Sequence, residues 1–203
     1  MLKQIINKLF YNPYKFIKKH SNIKVSDTAI LLKSCTFRFD GKVKNNKVSI
    51  GDNSMVGCSF VFESDEGEIN VGNNSYIGGG TTLISRNNIS IGNNVTIAWG
   101  CTLYDHNSHS LDYIERQKDI ERQNNDYRNG RNFIYSKDWS VVKSKPIIIE
   151  DNVWIGFDSV ILAGVTVGEG SIIGARSVVR HNVEPWTVVA GNPAVVIKRL
   201  RDE

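Results

Sequence analysis

No stretch of this 203-residue chain is apolar over the roughly 18 residues that a membrane-spanning helix needs. The N-terminus carries no signal-peptide core followed by a small-residue cleavage site. A secreted or transmembrane protein is therefore not expected, and a cytoplasmic one is. Cysteine is scarce: Cys35, Cys58 and Cys101 are the 3 in the chain, odd in number and without a CxxC pair. That usage suits a reducing compartment and argues against a disulfide framework. Charge of one sign is also lacking. The formal net charge is +4, and outside the N-terminal segment the basic residues are dispersed, so no nucleic-acid partner is expected.

The length suits one domain with its own core. Leu2, Ile5, Ile6, Leu9 and Phe10 share one helical face, with Lys3, Lys8, Lys15, Lys18 and Lys19 among and after them. The predicted organisation is an amphipathic helix over residues 1–22 and a β-domain over residues 23–200. The helix has two compatible roles: capping the open end of the domain, or peripheral contact with an anionic membrane through residues 1–20.

What the chain has in abundance is a period of six. Aliphatic residues stand at Ile149, Ile155, Ile161, Val167, Ile173 and Val179, and upstream at Ile50 and Val56, at Val71, Ile77 and Leu83, and at Ile91, Ile97 and Leu103. Helices repeat near 3.6 and half-buried strands near 2, so this period requires short strands stacked as a solenoid, here of about eight coils. Glycine follows the aliphatic residue at 51, 57, 72, 78, 92, 156, 168 and 174, where a tight corner is turned most easily without a Cβ. A second inward slot takes small or β-branched residues such as Ser54, Ser75, Thr81, Val95, Cys101 and Ser159. Phe60, Asn87 and Asn107 break that rule.

With these hexads, with Asp151-Asn-Val-Trp154-Ile-Gly156 and with Ala190-Gly-Asn-Pro-Ala194, the chain resembles the hexapeptide-repeat acyltransferases over roughly residues 48–200. The branch it is most similar to includes galactoside, maltose and xenobiotic acetyltransferases and O-acetyltransferases of surface polysaccharides. The resemblance implies an all-β, left-handed parallel β-helix, a homotrimer, and acetyl coenzyme A (acetyl-CoA) as co-substrate. The Asn and Asp that galactoside-type relatives turn toward the acceptor fall on Gly78 and Asn87, so a free galactoside is not implied.

The hexads stop between Leu103 and Ile149. An excursion over 104–148, polar and charged, opens with Tyr104-Asp-His106-Asn-Ser-His109-Ser-Leu-Asp112. A loop this long within a compact repeat is usually functional or disordered. Acyl transfer to a sugar hydroxyl needs a base, and a neutral imidazole is a competent proton acceptor near pH 7. The resemblance places the catalytic histidine just after the last hexad, followed by x-x-Asp, which His109 and Asp112 match. His106 is the other candidate, three residues after Leu103 and still on the coil wall. Asp105, Asp112 and Trp99 flank these groups and are assigned to the acceptor. The two histidines also raise metal binding, but a third ligand is missing, so no metal is expected. Cys101 sits in an inward slot, where thiols pack rather than react.

In relatives the donor lies in a groove between subunits, and small residues with exposed backbone supply its lining. Gly156, Ala163, Gly174 and Ala175 fit that role, as does Trp154, which the family places near the thiol end. Arg180 and Lys198 match family positions near the nucleotide, although a family Thr-Lys pair is here Arg180-His181. Arg116, Lys118, Arg122, Tyr127 and Trp139 in the excursion are expected to wall a carbohydrate acceptor. The first reading is a sugar O-acetyltransferase of surface polysaccharides. The alternatives are an antibiotic or small-sugar acetyltransferase and a non-catalytic solenoid scaffold.

Overall fold

Because aliphatic side chains recur every sixth residue, each short strand can turn one large side chain inward and pass its backbone hydrogen bonds to the coil above. The computed structural model describes residues 11–41 and 43–200, and its strands build a left-handed parallel β-helix with three faces. Sheet A contains β1 (Ile23–Val25), β4 (Lys47–Ile50), β7 (Glu68–Val71), β10 (Asn88–Ile91), β13 (Ile147–Ile149) and β16 (Thr166–Val167). Sheet B contains β2 (Ile30–Leu31), β5 (Met55–Val56), β8 (Tyr76–Ile77), β11 (Thr96–Ile97), β14 (Trp154–Ile155) and β17 (Ile172–Ile173). It ends on the antiparallel hairpin β19 (Thr187–Gly191) and β20 (Ala194–Arg199). Sheet C contains β3 (Thr36–Phe39), β6 (Ser59–Phe62), β9 (Thr82–Ile84), β12 (Thr102–Tyr104), β15 (Val160–Leu162) and β18 (Val178–Val179).

The described residues form six coils and part of a seventh, fewer than the spacing suggested, because the excursion withholds residues 105–146 from the prism. Leu83, Leu103 and Ile161 stack in one column, Ile97 and Ile155 in another, all fully buried. Burying one such side chain contributes about 1.5–3 kcal/mol, so the columns dominate the stability. Ser54, Thr81, Cys101 and Ser159 are also fully enclosed, as the second inward slot requires.

Two details differ from the sequence reading. Phe60 does not occupy a small slot. It pairs in register with Leu83, and Cys58 takes the small position because the turn between β5 and β6 is shorter than that between β8 and β9. The glycines after each aliphatic residue are needed for close approach rather than for an unusual φ. A Cβ on Gly72 would lie 2.5 Å from the Gly92 carbonyl oxygen, and one on Gly156 would lie 2.6 Å from the Ala175 nitrogen. The left-handed corner conformation falls instead on Asn53, Asn74, Asn94 and Asn152, with φ of 54–62°.

Helix α1 (Pro13–Ile17) starts at Asn12, whose side chain accepts a hydrogen bond from Lys15 N–H at 3.2 Å. Phe16 stacks on Phe37 at 5.6 Å, and Phe37 on Phe60 at 5.0 Å, so the helix lies on the first coil. The apolar face proposed for Leu2 to Phe10 lies outside the described residues. Among the described residues no helix is long and apolar enough to cross a membrane.

Candidate active site

The excursion leaves sheet C after Tyr104 and returns to sheet A at Ile147. Its two legs are tied at the root: Asn107 N–H donates to the Lys143 carbonyl at 3.2 Å, and Lys145 N–H to the Asp105 carbonyl at 2.9 Å. Between them stands helix α2 (Tyr113–Arg128), which the sequence reading treated as loop. Asp112 caps it by accepting from Ile114 N–H at 2.9 Å. Asp112-x-x-Glu115 was the readable signal, an acidic cap with glutamate three residues on. Asp112 thus has a structural task where contact with the acceptor was expected.

Along α2, Asp119 and Asp126 are buried, seven residues apart on one side of the helix. Asp126 accepts from Ser136 N–H at 2.7 Å and pairs with Arg131 at 3.0 Å, which folds the return leg onto the helix. Asp119 accepts from Lys137 Nζ at 2.6 Å and from His109 Nδ1 at 3.0 Å. Asp119 and Lys137 side chains are each 2% exposed, whereas His109 is 45% exposed. Nδ1 also lies 3.4 Å from Lys137 Nζ, and the shorter contact, with the Asp119 carboxylate, places the proton on that nitrogen. Nε2 has no hydrogen-bond partner among the described residues and is left as the acceptor.

His106 is built the opposite way. Its side chain is fully enclosed, with Nδ1 2.9 Å from Asp105 and Nε2 3.2 Å from Glu63. Burial opposes its charged form, but the hydrogen bonds and charges of Asp105 and Glu63 outweigh burial and raise its pKa above the ordinary value. Glu63 is correspondingly lowered: burial raises it, and the contacts with His106, Tyr104 and Ser108 prevail. Trp139 and Tyr104 pack edge-on to the ring at 5.8 and 4.6 Å. An imidazole with both nitrogens occupied and no exposure cannot accept a proton from a substrate. Asp105, assigned from sequence to the acceptor, is also fully buried. Its carboxylate receives Ser85 Oγ–H at 2.7 Å and the backbone N–H groups of Arg86 and Asn87 at 2.8 and 2.9 Å, so it braces the corner instead.

A second assembly lies one corner earlier on the prism, between sheets B and C. Trp99, Trp154, Gly156, Gly174 and Ala175, all named from sequence, line one apolar cavity of about 430 Å³ with Tyr76, Phe157 and Ile172. Trp99 stacks on Phe157 at 5.8 Å, and the Arg176 guanidinium lies over the Phe157 ring at 5.7 Å. Ala163 lies at the corner between sheets C and A, while Arg180 and Lys198 are exposed farther along; none of the three lines this cavity. Cys101 is fully buried, and burial pushes its thiol up, away from the reactive thiolate. No group of three or more His, Cys, Asp or Glu residues is placed to hold a metal ion among the described residues.

The family described as bacterial transferase hexapeptide (six repeats) matches residues 146–181. A hexapeptide-repeat-containing acetyltransferase from Vibrio cholerae O1 biovar eltor, solved with acetyl-CoA, is 30% identical. The likeness covers 81% of this chain and 73% of that one, with a TM-score of 0.54. The polySia-specific acetyltransferase NeuO is 25% identical over 89% of this chain and 88% of its own, with a TM-score of 0.54. A chloramphenicol acetyltransferase from Agrobacterium fabrum is 45% identical over 56 residues, which is 28% of this chain and 27% of that protein. Other curated relatives are likewise matched over only 25–35% of their length.

Proposed function

Because the chain belongs to the hexapeptide-repeat-containing acetyltransferases, we propose that it moves the acetyl group of acetyl-CoA onto a sugar hydroxyl of a surface polysaccharide or its precursor. The observation that carries this reading is His109, half-exposed, with Nδ1 held by a buried carboxylate and Nε2 open. In the reaction, Nε2 takes the proton of the acceptor hydroxyl as its oxygen bonds to the thioester carbonyl carbon. When the carbon–sulfur bond breaks, the same nitrogen returns the proton to the leaving thiolate. Asp119 keeps the ring in the productive tautomer and balances the imidazolium that forms. A thiol as enclosed as Cys101 makes direct transfer the simpler route. The likeness to a polySia-specific acetyltransferase and the polar excursion beside His109 support a glycan acceptor.

The apolar cavity at the corner of sheets B and C suits the pantetheine arm of the donor, with bare backbone at Gly156 and Gly174 and aromatic walls from Trp99 and Trp154. Arg176 and Arg180 would meet its phosphates. In one chain this cavity and His109 occupy successive corners, so the complete site requires a second copy, and the protein acts as a cytoplasmic homotrimer. Sheet B supports that assembly: its outward ladder runs Ile30, Met55, Tyr76, Thr96, Trp154 and Ile172 in register. Sheet A offers the polar Lys24, Ser49, Asn70, Ser90 and Thr166 at equivalent positions, with Ile148 its one apolar member. Exposed apolar ladders of this kind mark interfaces.

The test follows thiol release from acetyl-CoA with a polysaccharide acceptor. His109→Ala should lower turnover by about 10²–10⁴ while donor affinity stays within a few-fold. Activity in His109→Ala with none in His106→Ala would move the base to His106, and full activity in both would end the proposal.

A further inference from the structure

Two cavities beyond the donor site meet at one residue. The first, about 290 Å³, lies against the excursion and is lined by Glu63, Asp65, Tyr135, Lys137 and Trp139 together with Lys44. Lys137 is the residue that shares Asp119 with His109, so this cavity adjoins the base. The second, about 520 Å³, lies on the outer face of sheet A at its N-terminal coils and is also lined by Lys44. Its other walls include Lys24 and Lys47, the amides Asn22, Asn46 and Asn70, Ser49, and one carboxylate, Glu68, which accepts from Asn70 Nδ2 at 3.1 Å. Lys44 pairs with Asp65 at 2.7 Å. The ammonium groups of Lys24 and Lys47 make no ion pair among the described residues. Asn46 is 1% exposed, and its Oδ1 has no hydrogen-bond partner although both Nδ2 hydrogens are used, on the Ser64 and Glu66 carbonyls.

Amides, hydroxyls and an aromatic face next to free cationic charge make a surface suited to a chain of hydroxylated, negatively charged units. The second cavity lies within the range of about 300–1,000 Å³ that small-ligand sites occupy. Taking the acetyl-transfer reading as its basis, we infer that the acceptor is an anionic glycan longer than one sugar, held across both cavities, with Lys24 and Lys47 forming a remote subsite for its acidic groups and Lys44, held by Asp65, at the junction. The base then acts on one unit of a polymer whose neighbours are gripped along sheet A. Binding energy from these remote units orients the reacting hydroxyl.

The experiment uses the full chain, an array of anionic oligosaccharides (oligosialic acids and oligogalacturonides of one to eight units) and neutral maltooligosaccharides of the same lengths. Binding and acetyl transfer are both read. Anionic oligomers should bind, more tightly as length rises from one unit to several, and less tightly as salt is raised. Lys24→Gln/Lys47→Gln should weaken the long anionic members by about three- to tenfold. Acetyl-CoA affinity and acetyl-CoA hydrolysis, neither of which involves the remote subsite, should not change. Equal binding of neutral and anionic oligomers, no gain with length, no binding at all, or an unaltered double variant would overturn the inference. Length-independent transfer to a monosaccharide would overturn it and leave the acetyltransferase reading intact. Length-dependent anionic binding without any transfer would do the reverse.

Discussion

Replacing Asp119 by asparagine tests the site at its least exposed member, because the carboxylate serves His109 and Lys137 at once, with Arg122 a looser third partner at 3.7 Å. It orients His109 through Nδ1 at 3.0 Å and neutralises Lys137 at 2.6 Å. Asparagine can present an N–H where Nδ1 needs an acceptor, so the imidazole loses its tautomer and its aim. If Asp119 supplies much of the value of the base, kcat should fall by about 10²–10⁴, which is about 2.7–5.5 kcal/mol of barrier. The variant should also lose stability, because the Lys137 ammonium, 2% exposed, is left without its counter-charge. Breaking a buried pair costs about 3–5 kcal/mol, a fall of about 6–20 °C in melting temperature for a chain of this size. Asp119→Asn/Lys137→Met separates the two effects: removing the stranded ammonium should recover most of the melting temperature and none of the rate. Kinetics of Asp119→Asn, His109→Ala and their combination complete the test. If Asp119 works only through His109, the combination should be no slower than His109→Ala alone. A fully active Asp119→Asn, or a combination slower by the product of the single effects, would refute the argument.

The pairing of His106 should be visible in pH-dependent stability. Its raised pKa means that the contact stabilises fully below the ordinary value near 6.5 and fades as pH rises through the raised one; Glu63, lowered, contributes above its ordinary 4.5 and fades as pH falls. Urea titrations should therefore show His106→Gln flattening the alkaline limb, and an unchanged limb would remove His106 from it. Trp154→Asp/Ile172→Asp should convert a sedimenting trimer into an inactive monomer that keeps its β-sheet circular dichroism; an active monomer would refute assembly through sheet B. Phe60→Ala empties a fully buried site stacked on Phe37 at 5.0 Å. It should cost about 3–5 kcal/mol, read as a lowered thermal midpoint, and a shift under about 1 °C would contradict the enclosed packing.

The β-helix was legible because its rule is local. Each column is built from one residue in six, and the pattern survives wherever two consecutive coils keep equal turns. It misleads at Phe60, where a shortened turn moves the register, a difference visible only when β6 is paired with β9. The apolar corner cavity was legible for the same reason. Trp99 and Ala175 hold one corner position in their coils, Gly156 and Gly174 the position before it, and Trp154 the strand beside them, so sequence spacing becomes spatial proximity, although Trp99 was assigned from sequence to the acceptor. Ala163, Arg180 and Lys198 were named by motif position and lie outside this cavity within one chain.

The base and its surroundings divide along the same line. That the excursion carries two candidate histidines, with His109 preferred for the x-x-Asp that follows it, was readable from the place where the hexads stop. What surrounds each ring depended on three-dimensional contacts: Glu63 comes from an earlier coil to close off His106, while Asp119 and Lys137 lie ten and twenty-eight residues beyond His109. The sequence by itself determined the repeat, the enclosed column and the point where the prism opens, because these depend on neighbours along the chain. Tertiary structure alone decided which imidazole is enclosed and which is open, because hydrogen bonding and burial are set by residues that meet only after the chain has folded.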